Sequence, residues 1–164
     1  VMGSRGSVIP LFFSLKNSTE LPITDLKMTR FMISLKQAID FVWFAFMEMQ
    51  GGEIFVKKIP SIKVTDIAKT IVPKAKFRII GIQPGEKLNE QMISKDENNN
   101  TYEYPDYFKI LPQTNRHEKN KLFIKNGKKV SKGFIYSSDK NKDWMTRSDL
   151  KKWLNKNSDY IGKI

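Results

Sequence analysis

The sequence has no cysteine among its 164 residues, and its only histidine is His117. The lack of cysteine excludes disulfides, thiolate nucleophiles and zinc sites built on cysteine. A single histidine gives no support to a Ser-His-Asp triad or to a metal site of several histidines. Because His117 lies in a polar stretch, we interpret it as a surface residue. The absence of cysteine also fits the cytoplasm, where we expect the protein to act.

Long apolar runs are missing as well. No segment reaches the roughly 18 to 20 apolar residues that a bilayer-spanning helix needs. The most apolar window, residues 38–49, contains Asp40 and has Lys36 and Glu48 at its ends. We therefore expect no membrane partner, and we interpret this window as a helix of the hydrophobic core.

Apolar residues and positive charge are abundant. Hydrophobic residues make up 40% of the chain and include 11 Phe, which is enough to support a folded core. The net charge is +12, with lysine dense between residues 117 and 152. No RNA-recognition signature, zinc-finger spacing or arginine-rich helix accompanies this charge. We therefore interpret it as a solvated surface and expect no nucleic-acid partner, with a polyanion-binding protein as the alternative.

The order of predicted elements indicates the fold class. Strands and helices alternate up to residue 93, which predicts an α/β architecture. Within that region Ser34 and Gln37 form a capping-box pattern at the start of the most apolar helix. Residues 86–93 are expected to form one or two helical turns. Beyond residue 93 come short strands and a last helix capped by Ser148. We therefore divide the chain into residues 1–93 and an α+β tail, residues 94–164.

The first twelve residues have the pattern of a strand end, a glycine-containing loop and a helix start. Val1 and Met2 are apolar, residues 3–7 are Gly-Ser-Arg-Gly-Ser, and Pro10 follows near the start of a helix. α/β folds use this arrangement to hold anionic ligands at the carboxyl edge of a sheet. We therefore expect the chain to be the C-terminal part of a nucleotide-binding enzyme whose earlier part precedes Val1.

Three polar positions are suited to a nucleotide. Arg5 lies inside the glycine-containing loop and Arg30 lies in a strand, and arginine binds phosphate with two parallel hydrogen bonds. Glu86 follows a Pro-Gly turn, and a carboxylate there is suited to accept hydrogen bonds from ribose hydroxyls. The alternatives are an arginine held in a surface ion pair and an exposed turn.

Tyr136 and Lys140 match the Tyr-x-x-x-Lys pattern of short-chain dehydrogenases. That chemistry requires both side chains on one face of a helix, so that the lysine lowers the pKa of the tyrosine. Here the pair lies at a strand end in a polar loop. We interpret the match as coincidental.

Several motifs together resemble one family. The segments that carry the resemblance, in order along the chain, are residues 1–12, 21–25, 28–31, 50–56, 59–61 and 80–88. They resemble the inverting UDP-N-acetylglucosamine 4,6-dehydratases, which belong to the extended short-chain dehydrogenase superfamily and begin pseudaminic acid synthesis. The tail, residues 103–110 and 136–154, is similar to the pseudaminate branch in particular. The resemblance therefore covers nearly the whole chain.

The resemblance implies a two-part enzyme that removes water from a sugar nucleotide. A Rossmann-type domain would hold NADP, and a small α+β substrate-binding region would close over UDP-N-acetylglucosamine. Hydride would leave C4, water would leave across C5 and C6, and hydride would return to C6 with inversion at C5. By this resemblance, residues 1–93 would be the end of the Rossmann-type domain interleaved with the sugar-nucleotide-binding region.

The resemblance also implies roles for ten residues. Val1 would lie against the nicotinamide end of NADP, Thr24 would contact the nucleotide, Arg30 would support that pocket, and Glu86 would hold the ribose. The implied substrate-binding set is Arg5, Gly6, Ser7, Val8, Ile9, Thr24, Arg30, Gln83 and Glu86. Gln83 departs from the family, which usually has an arginine there that meets the diphosphate. Glutamine keeps a donor but loses the charge and the two-pronged geometry.

The resemblance places the catalytic residues outside this chain. The NADP-binding glycine loop, the acid–base residues and the family's own Tyr-x-x-x-Lys would all precede Val1. We therefore expect the 164-residue chain to be inactive alone and the full-length protein to be a homo-oligomeric enzyme. A diverged, non-catalytic sugar-nucleotide-binding module is the alternative.

Overall fold

The computed structural model describes residues 1–112 and 124–157, so His117 lies outside the described residues. The helices of that part are α1 (Val8–Ser14), α2 (Leu35–Glu48), α3 (Val64–Ile71) and α4 (Arg147–Lys156). The strands are β1 (Glu20–Ile23), β2 (Thr29–Phe31), β3 (Ile54–Lys57), β4 (Ser61–Lys63), β5 (Lys76–Ile79), β6 (Gln91–Ile93), β7 (Thr101–Glu103), β8 (Tyr107–Ile110), β9 (Lys128–Lys129) and β10 (Tyr136–Ser137). A 3-10 helix covers Glu97–Asn100. None of the helices in residues 1–112 and 124–157 is long and apolar enough to cross a membrane.

Parallel and antiparallel pairing both occur. β1 and β5 are parallel, with Glu20 opposite Lys76 and Ile23 opposite Ile79. The chain makes the long crossover that parallel strands require through α2 and α3. The remaining pairs are antiparallel: β2 with β4, β6 with β10, and a four-stranded sheet in the order β3-β8-β7-β9. This mixture of strands and packed helices confirms the predicted α/β class.

The main hydrophobic core lies between α1, β1, α3 and α4. Phe12 from α1, Leu21 from β1, Ile67 from α3 and Leu150 from α4 are each at most 1% exposed and belong to one cluster. The last helix therefore packs against elements from the first half of the chain. Since α1 forms one side of this core, the loop that precedes it is fixed in position.

Pairings also cross residue 93, the boundary predicted between the two regions. β6 pairs with β10, and β3 pairs with β8. The segment before β6 is held by residue 138, because Ser138 N donates to Glu90 O at 2.8 Å. The prediction of helical turns over 86–93 was therefore wrong. Only residues 91–93 form a strand, and residues 86–90 have no regular secondary structure.

The start of α2 agrees with the sequence prediction, but the burial of this helix does not. The capping box is present: Ser34 Oγ accepts from Gln37 N at 3.1 Å, and Gln37 Oε1 accepts from Ser34 N at 3.0 Å. No residue of α2 is buried, and Trp43 is 64% exposed. The prediction of a core helix was wrong, because helical spacing shows which side chains share a face but not what covers it.

The start of α4 differs from the prediction by two residues. Thr146, not Ser148, is the N-cap: its Oγ1 accepts from Asp149 N at 3.1 Å. Asp149 Oδ2 accepts in return from Thr146 N at 3.2 Å. Threonine and serine both cap helices well, and the acidic residue three positions on selects Thr146.

Candidate functional site

A cavity of about 380 Å³ lies where α1, the end of β1, β2 and the turn before residue 86 meet. Eight of the ten residues that the sequence singled out line it. They are Val1, Gly6, Ser7, Val8, Ile9, Thr24, Arg30 and Glu86. We call this space the first cavity. Its remaining lining is mainly apolar and includes Met28, Phe31 and Ile80.

Two glycines shape the loop that opens the first cavity. Gly3 has φ 75° and Gly6 has φ 77°, in the left-handed region where a side chain is strained. The turns are closed by Ser4 N donating to Val1 O at 3.3 Å and by Ser7 N donating to Ser4 O at 3.0 Å. The chain thus reverses twice and enters α1 at Ser7.

Ser7 has an unused hydroxyl in the first cavity. It occupies the N-cap of α1, but its side chain makes no capping bond. Its Oγ is buried and has no hydrogen-bond partner among the described residues. Leaving a buried hydroxyl unsatisfied costs about 1–3 kcal/mol. A polar group on a bound ligand would satisfy it.

Glu86 closes the opposite side of the first cavity. Its Oε2 accepts from Thr24 Oγ1 at 3.1 Å and from Gln83 N at 3.1 Å. Its Oε1 accepts no hydrogen bond from the described residues. The carboxylate therefore fixes the turn to the end of β1 and keeps one acceptor for a ligand hydroxyl.

Arg30 lines the first cavity but directs its guanidinium at the protein. Its Nη1 donates to Thr29 O at 2.7 Å and to Leu88 O at 3.1 Å. Its Nε lies 3.6 Å from Glu90 Oε1, and its side chain is 22% exposed. Arg30 therefore joins β2 to the segment that carries Glu86.

We expect Arg30→Ala to lower the free energy of unfolding by about 1–3 kcal/mol, because the Leu88 carbonyl loses a charged donor. Urea unfolding followed by circular dichroism measures the change. Arg78→Ala is the matched control, since Arg78 is exposed on β5 and its loss should change the free energy by about 0.5 kcal/mol or less. Equal effects of the two substitutions would contradict a bracing role for Arg30.

The other two predicted residues lie apart from the first cavity. Arg5 is exposed on the loop and is not part of the lining. Gln83 turns its side-chain amide to its own segment, donating to Gly81 O at 3.2 Å and to Ile80 O at 3.4 Å. Among the described lining residues, Arg30 is therefore the only arginine or lysine side chain.

Tyr136 and Lys140 do not form a catalytic pair in the structure. Tyr136 lies on β10, and its hydroxyl accepts from Ile59 N at 2.9 Å and donates to Ile59 O at 3.1 Å. Burial raises the pKa of Tyr136, and the bond from Ile59 N opposes that rise. Lys140 is exposed in the following turn. These contacts agree with the interpretation of a coincidental motif.

A buried hydroxyl network next to the first cavity has no counterpart among the sequence motifs. Thr29 Oγ1 donates to Asn89 Oδ1 at 2.7 Å and lies 2.7 Å from Ser138 Oγ. Ser138 Oγ also accepts from Glu90 N at 2.9 Å. The network fixes the segment that follows Glu86. No local pattern could have found it, because Thr29 and Ser138 are 109 positions apart.

The family model described as polysaccharide biosynthesis protein matches residues 1–112. This match covers every residue that lines the first cavity.

Curated relatives match nearly the whole chain. The UDP-N-acetylglucosamine 4,6-dehydratase (inverting) of Campylobacter jejuni subsp. jejuni serotype O:2 is 47% identical over 162 residues, which are 94% of this chain and 48% of the relative. The UDP-glucose 4-epimerase of Rickettsia massiliae is 37% identical over 147 residues, 87% of this chain and 43% of the relative. The chain thus spans about half the length of the curated relatives it matches.

A solved structure shares the fold. The X-ray structure of Pen from Bacillus thuringiensis matches with a TM-score of 0.76 and 32% sequence identity. The match covers 96% of this chain and 46% of that one.

Proposed function

The chain belongs to the polysaccharide biosynthesis protein family, and we propose on that premise that it is part of an inverting UDP-N-acetylglucosamine 4,6-dehydratase. Membership and the likeness to Pen confirm the predicted fold, that of the Rossmann-type extended short-chain dehydrogenases. The observation that carries the proposal is the 47% identity to the Campylobacter jejuni dehydratase along 94% of the chain. In this proposal the first cavity holds the sugar nucleotide.

The geometry of the first cavity supports a sugar nucleotide as its occupant. The carboxylate of Glu86 offers an acceptor to ribose hydroxyls, and the buried Ser7 hydroxyl offers a polar contact to the sugar or phosphate. The apolar side chains of Val8 and Ile9 supply the contact surface that small-molecule sites generally have. We propose that the product is a 4-keto-6-deoxy sugar nucleotide used in pseudaminic acid synthesis.

We propose NADP as the cofactor, with one contact from this chain. Val1 lines the first cavity and is exposed, so its apolar side chain is available to a nicotinamide ring. NADP, when bound, supplies hydride transfer. The remaining cofactor contacts and the acid–base residues are proposed to lie outside these 164 residues, in a cytoplasmic homo-oligomer.

The exposed apolar face of α2 is a further argument that this chain is part of a larger protein. Val42, Trp43 and Phe46 are each 64–66% exposed, and Trp43 contacts Phe46 edge-on. A contiguous apolar patch of this kind marks a contact surface. The relatives are about twice as long as this chain. We therefore propose that the rest of the full-length protein covers this face of α2. Amide exchange in α2 should be slower in the full-length protein than in the 164-residue chain. Equal exchange would contradict this contact.

A non-catalytic sugar-nucleotide-binding module is the second candidate. It is favoured by the position of Gln83, whose amide is bound to backbone carbonyls, and by the exposed position of Arg5. With Arg30 turned to the protein, the described lining offers little positive charge to a diphosphate. A protein with this arrangement would bind the sugar nucleotide weakly and would not convert it to product.

One assay separates the candidates. The full-length protein is incubated with UDP-N-acetylglucosamine in deuterated water, and NMR follows the sugar. A 4-keto-6-deoxy product with deuterium and inverted geometry at C5 supports the proposed dehydratase. Turnover with retained geometry contradicts the inverting assignment, and binding without turnover supports the module. UDP-glucose, run in parallel, tests the epimerase activity that the Rickettsia relatives are named for.

We expect Gln83→Arg to strengthen sugar-nucleotide binding by about tenfold, because a charge-assisted contact adds about 1.5–3 kcal/mol. Arginine is longer than glutamine and adds a positive charge next to the first cavity, where Arg30 is turned to backbone carbonyls. Calorimetry on the full-length protein measures the dissociation constant. Gln91→Arg is the control, since Gln91 is exposed on β6 away from the first cavity. An unchanged constant in Gln83→Arg would mean that another group already meets the diphosphate.

A further inference from the structure

A second cavity, of about 480 Å³, lies on another part of the molecule. It is bounded by β9, by β10 and the turn that follows it, and by the segment between β3 and β4. It shares no lining residue with the first cavity. Its volume is within the range of about 300–1,000 Å³ that small-molecule sites occupy.

The floor of the second cavity is aromatic. Phe108 lies with its ring centroid 5.1 Å from that of Phe134 and 5.0 Å from that of Tyr136. The side chains of Ile59 and Val130 complete an apolar surface around these rings. Phe108 and Tyr136 are only 3% and 5% exposed, and Lys58 Nζ lies 5.0 Å from the centroid of the Phe108 ring. Phe134 is half-buried and is the ring that offers a face to a planar heterocycle. One base–aromatic stack contributes about 1–3 kcal/mol.

The rim of the second cavity is basic. Its lysines are Lys58, Lys128, Lys129, Lys140 and Lys142, and its acids are Glu103 and Asp143, so the lining carries a net charge of three positive units. Lys58 is already paired with Glu103 at 2.7 Å. Within residues 1–112 and 124–157, no salt bridge engages the other four ammonium groups.

The aromatic floor and the lysine rim of the second cavity together favour one class of ligand. A single terminal phosphate group carries a charge of about −1.5 to −2 at neutral pH, and a diphosphate carries more, so a diphosphate complements the positive charge of the lining. A nucleoside adds a planar ring that would stack on Phe134, which Phe108 supports from within the protein. We propose that the second cavity is a binding site for a nucleoside diphosphate, separate from the first cavity and independent of the function proposed for it.

A titration observed residue by residue tests this site. ADP and UDP are added in turn to the ¹⁵N-labelled full-length protein, and amide shifts are followed by NMR. We expect saturable shifts at residues 128–130 and 134–142 with both nucleotides, and at least tenfold weaker binding of inorganic diphosphate. Shifts near Thr24 and Glu86 report on the first cavity, so failure of one site is distinguishable from failure of the other.

Two charge-matched variants separate a site from general attraction. Lys128→Gln with Lys129→Gln should weaken ADP binding at least tenfold. Lys151→Gln with Lys152→Gln removes the same charge from exposed positions on α4 and should change the affinity for ADP less than twofold. Equal weakening by both pairs would overturn the proposal. So would equal affinity for inorganic diphosphate, or binding of a single-stranded oligonucleotide but not of ADP.

Discussion

Glu86→Ala in the full-length protein is expected to weaken UDP-N-acetylglucosamine binding by at least tenfold. The carboxylate accepts hydrogen bonds from Thr24 and from Gln83 N, and its other oxygen is the acceptor proposed for the ribose. Hydrogen bonds to a charged group contribute about 1.5–3 kcal/mol, and 1.4 kcal/mol is already a tenfold change. Titration calorimetry measures the dissociation constant directly.

Two further variants make the Glu86 result interpretable. Thr24→Val removes one donor but leaves the carboxylate, so we expect a loss of threefold or less. Glu20→Ala removes a negative charge at an exposed position of β1 and should leave affinity unchanged. If Glu86→Ala binds as tightly as Glu20→Ala, the carboxylate only shapes the turn.

The sequence predicted the loop of the first cavity because its determinants are local. Gly3 and Gly6 permit the left-handed conformations that the turns require, and the helix starts directly afterwards. The capping box at Ser34 is equally local, since both partners lie within four residues. Such patterns depend on backbone geometry and neighbouring donors, so a sequence is sufficient to find them.

The sequence could not predict contacts set by distant partners. The apolar spacing of α2 was correct, but the exposure of Trp43 depends on what lies against the helix. The hydroxyl pair of Thr29 and Ser138 joins positions 109 apart and has no local signature. The rim of the second cavity is similar, because Lys58 and Lys128 meet only after β7, β8 and β9 have paired.

Side-chain direction was the hardest feature to anticipate. Arg30 lines the first cavity, but its guanidinium donates to backbone carbonyls, since β2 places it beside Leu88. Gln83 follows a strand as expected, but its short amide reaches only the carbonyls of its own turn. The sequence therefore identified the wall of the first cavity better than it identified the donors that face a ligand.

Phe12→Ala should be the most destabilising single change considered, lowering the free energy of unfolding by about 3–5 kcal/mol. Phe12 is 1% exposed and packs in the main core, while its α1 neighbours Ser7, Val8 and Ile9 form a wall of the first cavity. Removing the ring leaves a void that α3 and α4 cannot fill. Urea unfolding followed by circular dichroism measures the loss.

The adjacent residue provides the control for Phe12. Leu11 lies on the same helix but is 47% exposed, so Leu11→Ala should cost less than about 1 kcal/mol. Phe12→Leu keeps the site apolar and should cost less than Phe12→Ala, which keeps the comparison possible if the alanine variant does not fold. Because α1 holds Ser7 in place and Phe12 itself lines the first cavity, sugar-nucleotide affinity should fall with Phe12→Leu. Equal stability of the Leu11 and Phe12 variants would contradict the placement of α1 in the core.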